Sequence, residues 1–255
     1  MQAQGWSQTW ESTQGWGGPA YEHVLDRTGV VAETHVLDCG CGAGRFARLA
    51  ADRGARVAGI DAAAQLIQIA AQRTPDGDFR VGDLEVLPWD DDTFDVVTGF
   101  SAFQFADDKA RALVEARRVS RGPVAVVVPT RLSESGIAAV FNPLLPLFPA
   151  DAVDGFRHSG MFALSKPATL ATALAAAGLT VQNDEDVDCR TAFDDVDAAV
   201  HAFMVAGPTA LAIRHSGEAV VAAAAKAALA PFVGSDGSVA LPAWFRVVPA
   251  QGASG

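Results

Sequence analysis

The sequence predicts an α/β fold, with a doubly wound, mostly parallel sheet and helices on both of its faces. Short runs rich in β-branched residues alternate with helical segments between residues 19 and 128. These runs are apolar at successive positions, which is typical of strands that helices cover on both sides. The chain has 255 residues, of which 50% are hydrophobic and 19% are charged, so it can bury the core of a globular domain.

Strands and helices alternate along the first half of the chain. Pro19 and Gly29 are residues of the types that commonly begin and end a helix. Strands are then predicted at 35–39, 55–60, 78–82, 94–99 and 123–128. Helices are predicted between them at 44–53, 62–73 and 107–120. A helix between most successive strands is the order in which parallel sheets are built.

The alternation breaks after Pro129. Residues 130–165 are rich in proline and aromatic residues and too long for a simple loop, so they are predicted to form short helices. A helix is then predicted at 167–177, a strand at 179–187 and helices over 192–232. The last residues are predicted to form a strand pair or a terminal antiparallel strand, and Pro242 places that point at an edge or a bulge. Residues 1–18 show no helical or strand period and are predicted to be a loose arm. We therefore expect one domain over 1–255, with 1–18 as an N-terminal arm and 130–165 and 190–235 as insertions that cap it.

Charge and composition narrow the class of partner. The net charge of −11 disfavours nonspecific binding to nucleic acid or to anionic membranes. No apolar run approaches the roughly 20 residues that span a bilayer, and the N-terminus lacks the basic and apolar regions of a secretory signal. The three cysteines cannot pair completely and are expected to be free thiols in a reducing cytoplasm. The oligomeric state is left open.

A glycine-rich turn between the first predicted strand and the next helix is the strongest local signal. Residues 38–44 read Asp-Cys-Gly-Cys-Gly-Ala-Gly and lie where open α/β sheets bind ligands. Glycine allows a tight turn and lets a ligand approach the backbone closely. Residues 42–47 also fit the G-x-G-x-x-A dinucleotide pattern, with Asp61 near the position of a ribose-binding acid, so a nicotinamide dinucleotide is one candidate ligand.

A second interpretation uses four motifs that occur in a fixed order. Asp38-x-Gly40-x-Gly42-x-Gly44 resembles motif I of the class I S-adenosylmethionine-dependent methyltransferases. The other three are residues 82–89, which resemble the GD-acid-LPF segment of that family, residues 94–97, which resemble its FDVV strand, and residues 115–119, which resemble its E-x-x-R-V helix. The turn after that helix departs from the family pattern. The chain is most similar to the ubiquinone/menaquinone-biosynthesis-like group, well over 20–129 and in outline over 166–188.

The resemblance implies seven strands in the order 3-2-1-4-5-7-6, the last of them antiparallel. It also implies S-adenosyl-L-methionine as the cofactor and S-adenosyl-L-homocysteine as the product. The residues that it places against the cofactor are Asp38, Gly40, Cys41, Gly42, Asp61, Ala62, Asp83, Leu84, Gly99 and Phe100. Asp61 is expected to accept from the ribose hydroxyls and Asp83 from the adenine amino group, while Asp38 lies near the ammonium group. Helix N-capping by Asp61 and capping of the glycine turn by Asp38 are the structural alternatives.

The implied function is methyl transfer to a small, mostly apolar metabolite by in-line displacement, for which we expect no metal. The candidates for a base are Tyr21, His158 and His201, each of which is otherwise a packing or surface residue. Aromatic residues and methionines of the insertions either line the acceptor pocket or form a helical core of their own; they are Phe141, Phe148, Phe156, Met161, Phe162, Phe203 and Met204. The alternative function is a protein of the same fold that catalyses a rearrangement without methylation or acts as a noncatalytic partner.

Overall fold

The chain forms two compact units. The computed structural model describes residues 2–10, 16–153 and 160–252. The sheet unit contains residues 19–129, 160–187 and 245–252; the helical unit contains residues 2–10, 16–18, 130–153 and 188–244. The predicted arm and most of both predicted insertions therefore fall in the helical unit. The prediction of one domain whose insertions form a cap stays a prediction.

The sheet unit is built on a mostly parallel sheet. The strands of the chain are β1 (His35–Cys39), β2 (Arg56–Asp61), β3 (Asp78–Val81), β4 (Val96–Phe100), β5 (Val124–Thr130), β6 (Leu179–Val181), β7 (Glu185–Asp188), β8 (Thr191–Phe193), β9 (Val239–Leu241) and β10 (Trp244–Gly252). The order across the large sheet is β3-β2-β1-β4-β5-β10-β6, with β7 paired to β10 beside this path. The pairs among β1 to β5 are parallel, whereas β6 is antiparallel to β10. This confirms the doubly wound fold, with β10 in the place of the predicted seventh strand.

Helices flank the strands as the alternating pattern predicts. They are α1 (Gln2–Thr9), α2 (Gly18–Arg27), α3 (Arg45–Asp52), α4 (Ala64–Arg73), α5 (Lys109–Arg118), α6 (Gly136–Phe141), α7 (Pro167–Ala176), α8 (Val196–Met204), α9 (Thr209–Ser216) and α10 (Glu218–Leu229). β5 is buried along its whole length, while the edge strand β3 is exposed or half-buried, so the core lies under the central strands. Fully buried members of that core include Leu37, Ile60, Val97 and Leu113. Among the described residues no single helix is long and apolar enough to cross a bilayer, and α8 with α9, bent by 89°, passes that test only as a pair.

The helical unit surrounds a cluster of aromatic rings. In it α10 packs against α6, α8 and α9, and β8 pairs with β9 in a separate antiparallel ladder. The Trp10 ring lies edge-on to the rings of Trp16, Phe193 and Phe203, with centroid distances of 5.8, 6.1 and 5.3 Å. Such edge-to-face contacts add to the apolar area that the rings bury.

The predicted loose arm is wrong for residues 2–9, which form α1. Trp10 is 3% exposed, and its Nε1 donates a hydrogen bond to the carbonyl oxygen of Ala202 at 2.8 Å. Gly5 lies so close to Val205 that a Cβ at position 5 would approach its Cγ1 to 2.8 Å. Tertiary contacts therefore fix this helix, and local periodicity does not reveal them.

Two further elements differ from the sequence-based expectation. The predicted strand at 179–187 is two strands, β6 and β7, because the polar residues 182–184 interrupt it with side chains that favour turns. The predicted helical stretch from 192 begins instead in β8, where Thr191 lies opposite Leu241 of β9. Three-residue strands carry too short a pattern to be distinguished from a helix start.

Candidate functional site

The loops that follow β1, β2, β3 and β4 lie together at the carboxyl edge of the sheet. β1 pairs in parallel with both β2 and β4, so Cys39 lies opposite Ile60 and Asp38 lies opposite Thr98. β3 is in turn parallel to β2. Parallel neighbours end at the same edge, which is where ligands bind in open α/β sheets. The residues predicted to hold a cofactor all lie at this edge or just beyond it.

The glycine turn, residues 40–44, has a backbone that requires glycine. Gly40, Gly42 and Gly44 have φ angles of 67°, 55° and 77°, in the left-handed region. The amide of Gly40 donates to the carbonyl oxygen of Ile60 at 2.8 Å. A Cβ at Gly40 would lie 2.5 Å from the Cβ of Ala102. The turn is therefore held against both β2 and the segment that follows β4.

Gly44 and the two cysteines of this region have packing roles. A Cβ at Gly44 would lie 2.8 Å from the Cβ of Ala70 on α4, so the glycine lets two helices approach. Cys41 is buried, and its Sγ covers Gly59, where a Cβ would come within 2.8 Å of the sulfur. Burial raises the pKa of the Cys39 thiol well above its usual range, and the neighbouring carboxylate raises it further. Cys39 is therefore a neutral thiol rather than a nucleophile.

Asp61, at the end of β2, joins the glycine turn to the start of α4. Its Oδ2 accepts a hydrogen bond from the amide of Gly42 at 3.0 Å, and its Oδ1 accepts from the amide of Ala63 at 2.8 Å. Ala63 is the N-cap residue of α4, so Asp61 forms the turn before the helix rather than the cap itself. Each carboxylate oxygen has about two acceptor sites, so both can accept one further hydrogen. Ala62 is exposed beside it.

Asp38 places a buried carboxyl group close to this edge. It is 3% exposed, and the hydroxyl of Thr98 on the neighbouring strand donates to its Oδ1 at 3.1 Å. The same hydroxyl lies 3.3 Å from the carbonyl oxygen of Leu37. A carboxylate in such a poorly hydrated position attracts a cationic group more strongly than one in water.

The segment after β3 carries the predicted adenine-binding residues. The amide of Gly82 donates to the carbonyl oxygen of Asp61 at 3.1 Å, which sets this segment beside the end of β2. Asp83 is exposed, and its Oδ1 accepts from the amide of Glu85 at 2.9 Å. Leu84 is half-buried and packs against the core of the sheet unit. The carboxylate thus shapes its own turn while remaining open to solvent.

Two side chains of α5 hold the continuation of this segment, and we call Glu115 and Arg118 the α5 clamp. Glu115 Oε2 accepts from the amide of Leu87 at 2.9 Å, and Arg118 donates to the carbonyl oxygens of Leu87 and Trp89 at 3.0 and 2.8 Å. Arg118 also pairs with Asp91 at 2.8 Å. The Arg118 guanidinium holds the pKa of Glu115 below its usual range, as the amide bond does to a smaller extent. The E-x-x-R spacing is visible in the sequence, but its partners are not.

β4 ends in a glycine and an aromatic ring. A Cβ at Gly99 would lie 2.4 Å from the ring of Phe103, so that ring covers the end of the strand. The ring of Phe100 contacts the rings of Tyr21 and Phe46, both with a centroid distance of 4.6 Å. These three rings connect α2, α3 and the end of β4 within the sheet unit.

The residues after β4 include polar atoms whose role the sequence does not indicate. Ser101 has a φ angle of 49°, which is uncommon for a residue other than glycine. Its hydroxyl oxygen and the Oε1 of Gln104 are buried and have no hydrogen-bond partner among the residues that the structure describes. The only sequence signal is that Ser101 and Gln104 are the two polar residues of an otherwise apolar run, FSAFQF.

The three candidate bases lie in different parts of the chain. Tyr21 is half-buried on α2 and contacts Phe100, one of the predicted cofactor residues. His201 is exposed on α8 in the helical unit. His158, like the aromatic candidate Phe156, lies outside the described residues. The assignment of a base therefore stays a prediction.

A groove of about 680 Å³ lies at the other edge of the sheet. Its lining includes Arg117, Arg121 and Val124, and Val124 is the first residue of β5. Arg121 pairs with Asp95, whose Oδ2 accepts from the amide of His35 at the start of β1. The Arg121 guanidinium holds the pKa of Asp95 below its usual range. These charges stabilise the amino ends of the strands, away from the glycine turn.

Similarity to known proteins identifies the family. A family model described as a methyltransferase domain matches residues 37–126. The malonyl-[acyl-carrier protein] O-methyltransferase of Pseudescherichia vulneris is 30% identical over 195 residues, which are 76% of this chain and 72% of that protein. The chain belongs to the class I S-adenosylmethionine-dependent methyltransferases. This confirms the family predicted from the four motifs and favours a methyl donor over a nicotinamide dinucleotide.

Other similarities support the same family or the fold. The demethylmenaquinone methyltransferase of Renibacterium salmoninarum is 34% identical over 98 residues, which are 38% of this chain and 41% of that protein. This chain spans about half the length, or less, of several of the curated relatives that it matches. The crystal structure of the YcgJ protein from Bacillus subtilis has a TM-score of 0.61 at 19% identity, covering 92% of this chain and 99% of that one, and so shares the fold.

Proposed function

We propose that this chain transfers the methyl group of S-adenosyl-L-methionine to a small, mostly apolar acceptor and releases S-adenosyl-L-homocysteine. The observation that carries the proposal is the bond between Asp61 and the amide of Gly42, which fixes the candidate ribose acid against the glycine turn. Membership of the methyltransferase family supports the same reaction.

The side chains at the carboxyl edge fit this cofactor. Asp61 has acceptor sites for the two ribose hydroxyls, and a carboxylate binds such a pair better than an amide does. Asp83, open to solvent, is our candidate for the adenine amino group, and Leu84 and Ala62 for the apolar faces of the nucleoside. Asp38 is our candidate for attraction of the ammonium group. The glycine turn offers backbone atoms without side chains in the way.

The chemistry divides between the cofactor and the chain. When bound, the cofactor supplies a methyl group that the positive sulfonium activates for in-line displacement. The chain aligns the acceptor and keeps water away. The rings of Tyr21, Phe46 and Phe100 supply apolar surface, and aromatic faces attract a cation. Tyr21 is our candidate to hold a proton of the acceptor, since of the three candidate bases it alone is described at this edge.

Exposed apolar side chains of the sheet unit support a mostly apolar acceptor. Phe105, five residues after the end of β4, is 53% exposed, and Val86, in the segment after β3, is 60% exposed. Both residues follow strands that end at the carboxyl edge of the sheet, and small-molecule sites combine apolar surface with a few polar groups. The two relatives are named for demethylmenaquinone and for malonyl-[acyl-carrier protein], so their names alone do not select one acceptor class.

Two experiments test the proposal in sequence. Calorimetry with S-adenosylmethionine, S-adenosylhomocysteine and NAD should show binding of the first two and none of the third; tight binding of NAD with none of S-adenosylhomocysteine would overturn it. Incubation with methyl-labelled S-adenosylmethionine and a metabolite extract, followed by mass spectrometry, should then show a metabolite that has gained one methyl group. Turnover without release of S-adenosylhomocysteine would support the rearrangement alternative, and cofactor binding without turnover would support a noncatalytic partner.

A further inference from the structure

The segment that follows β4 contains a buried glutamine that the proposed function does not use. Gln104 is 1% exposed, in the short helical turn Phe103–Phe105. Its Nε2 donates to the carbonyl oxygen of Met161 at 3.0 Å. A carbonyl cannot donate, so this bond fixes which end of the amide is the nitrogen. Oε1 is then the other end, and it is buried without a hydrogen-bond partner in the described part of the chain.

This glutamine belongs to a segment that touches the glycine turn. The contact between Gly40 and Ala102, where a Cβ on the glycine would come within 2.5 Å, lies two residues before Gln104. Ser101 anchors the segment, because its amide donates to the carbonyl oxygen of Val127 at 2.8 Å. Ser101 also has the left-handed φ and a buried hydroxyl without a partner among the described residues. Unsatisfied polar atoms and backbone strain therefore occur together beside the candidate cofactor turn, as they do at ligand sites.

The chemistry of Oε1 defines its missing partner. Buried acceptor atoms rarely stay unpaired in native proteins, because they have lost their hydration. A carboxamide oxygen only accepts, so the partner carries an O–H or N–H group. The ammonium of the cofactor is one source of such a group, but the buried carboxyl of Asp38 on neighbouring β1 is the stronger partner for a cation. The other source is the acceptor.

We propose that Gln104 selects acceptors whose reacting end carries a hydroxyl or amino hydrogen, which its Oε1 accepts. The bond from Nε2 to Met161 holds the amide so that Oε1 is fixed before the acceptor arrives. An ether has no hydrogen to donate and leaves Oε1 unpaired. A carboxylate brings its own oxygen against Oε1, and neither oxygen can donate a hydrogen bond. Compounds of both classes therefore bind less well. This inference rests on the proposed function and narrows its substrate class.

The test uses the full chain saturated with S-adenosylhomocysteine and three small probes observed by NMR. Benzyl alcohol, benzylamine and benzyl methyl ether share one ring and differ in the donor. We expect wild-type protein to bind the alcohol about fivefold more tightly than the ether, which corresponds to one hydrogen bond. In Gln104→Met this ratio should fall below about twofold while affinity for S-adenosylhomocysteine stays within about threefold. Thr74→Val is the matched control, because it also removes a buried polar oxygen without a described partner, here the hydroxyl of a threonine at the end of α4.

Each outcome bears on the proposal. A wild-type ratio below about twofold overturns it, since Oε1 is then satisfied by something other than the acceptor, such as a fixed water. A Gln104→Met variant that keeps the wild-type ratio overturns it as well. The proposal is also overturned if Gln104→Met no longer binds S-adenosylhomocysteine but still binds 5′-methylthioadenosine, which lacks the amino-acid part. Gln104 would then contact the amino-acid part of the cofactor rather than the acceptor. If Gln104→Met does not fold, Gln104→Glu replaces it and should favour benzylamine over benzyl alcohol. Failure of the wild type to bind S-adenosylhomocysteine would refute the proposed function instead.

Discussion

The α5 clamp gives a prediction about both stability and cofactor affinity. Arg118→Met removes the donor that holds the carbonyl oxygens of Leu87 and Trp89, and it breaks the pairs with Glu115 and Asp91. Methionine keeps most of the apolar stem of the arginine. We expect the segment after β3, which carries the proposed adenine contacts, to lose its attachment to α5 at this point.

The size of the effect follows from the partial burial of the clamp. The side chains of Glu115 and Arg118 are 18% and 29% exposed, so solvent screens part of their attraction. Hydrogen bonds to charged groups contribute about 1.5–3 kcal/mol each before the freed groups find other partners. We expect Arg118→Met to lower the free energy of unfolding by about 2 kcal/mol, which is roughly 4–8 °C in Tm. Affinity for S-adenosylhomocysteine should fall about threefold to tenfold.

Thermal unfolding and calorimetry measure the two effects separately. Arg53→Met is the matched control, because Arg53 is also 29% exposed and pairs with two carboxylates, but these belong to Glu22 and Asp26 on α2 rather than to the segment after β3. Arg53→Met should lower the free energy of unfolding by less than about 1 kcal/mol and leave cofactor affinity unchanged. Equal losses of affinity in the two variants, or no loss in Arg118→Met, would refute the role of the clamp.

The pH dependence of stability tests the same pair through Glu115. Its pKa is lowered in the folded state by Arg118 and by the amide of Leu87. A lowered pKa contributes stability in full above the unfolded value of about 4.3, and this contribution disappears as the pH falls through the folded value. Glu115→Gln should therefore be less stable than wild type at pH 7, and the difference should close in acid. A difference that does not change with pH would show that the charge of Glu115 is irrelevant.

Three other measurements examine the turn, the thiols and the helical unit. Asp61→Ala should weaken S-adenosylhomocysteine binding about tenfold or more and Asp83→Ala about threefold, because Asp61 also holds the amide of Gly42; equal losses in calorimetry would mean that the ribose acid is misassigned. Asp61→Asn keeps one acceptor oxygen, so its loss of affinity for S-adenosylhomocysteine should lie between those of Asp61→Ala and Asp83→Ala. Cys39 and the other two buried cysteines should react with a thiol reagent at pH 8 only after unfolding, and fast labelling of native protein would contradict their burial. Phe203→Ala should cost about 3–5 kcal/mol in denaturant unfolding, and a loss below about 1 kcal/mol would show that its ring is not part of a packed core.

The sheet unit could be predicted because its determinants are local. Strands covered on both faces are apolar at successive positions, and turns and helix ends carry glycine and proline, so the predicted strand at 35–39 coincides with β1. The order of the strands did not follow from these patterns. It came from the family resemblance, and the place of β10 between β5 and β6 is confirmed by the pairing that the structure shows.

The helical unit was less predictable because its determinants are distant along the chain. Trp10 is fixed by a hydrogen bond to Ala202, 192 positions away, and no local pattern around α1 indicates that partner. Phe141 and Phe203 are fully buried and pack at a centroid distance of 5.3 Å, which favours the helical-core alternative for these two rings. Residue identity predicted their burial but not the neighbours that bury them.

The polar groups at the carboxyl edge are of two kinds, and the distinction explains why the acceptor is harder to infer than the cofactor. Asp61 and Asp38 are already hydrogen-bonded within the chain, so these carboxylates are in place before a ligand binds. Binding therefore costs little conformational entropy at these two side chains. Groups of this kind recur with fixed spacing beside a glycine turn, and such spacing is visible in a sequence. Gln104 and Ser101 have buried polar atoms without partners among the described residues, and nothing in their spacing sets them apart. Their meaning depends on burial and on the direction of single atoms, which only a structure supplies, and these are the atoms that a particular acceptor would satisfy.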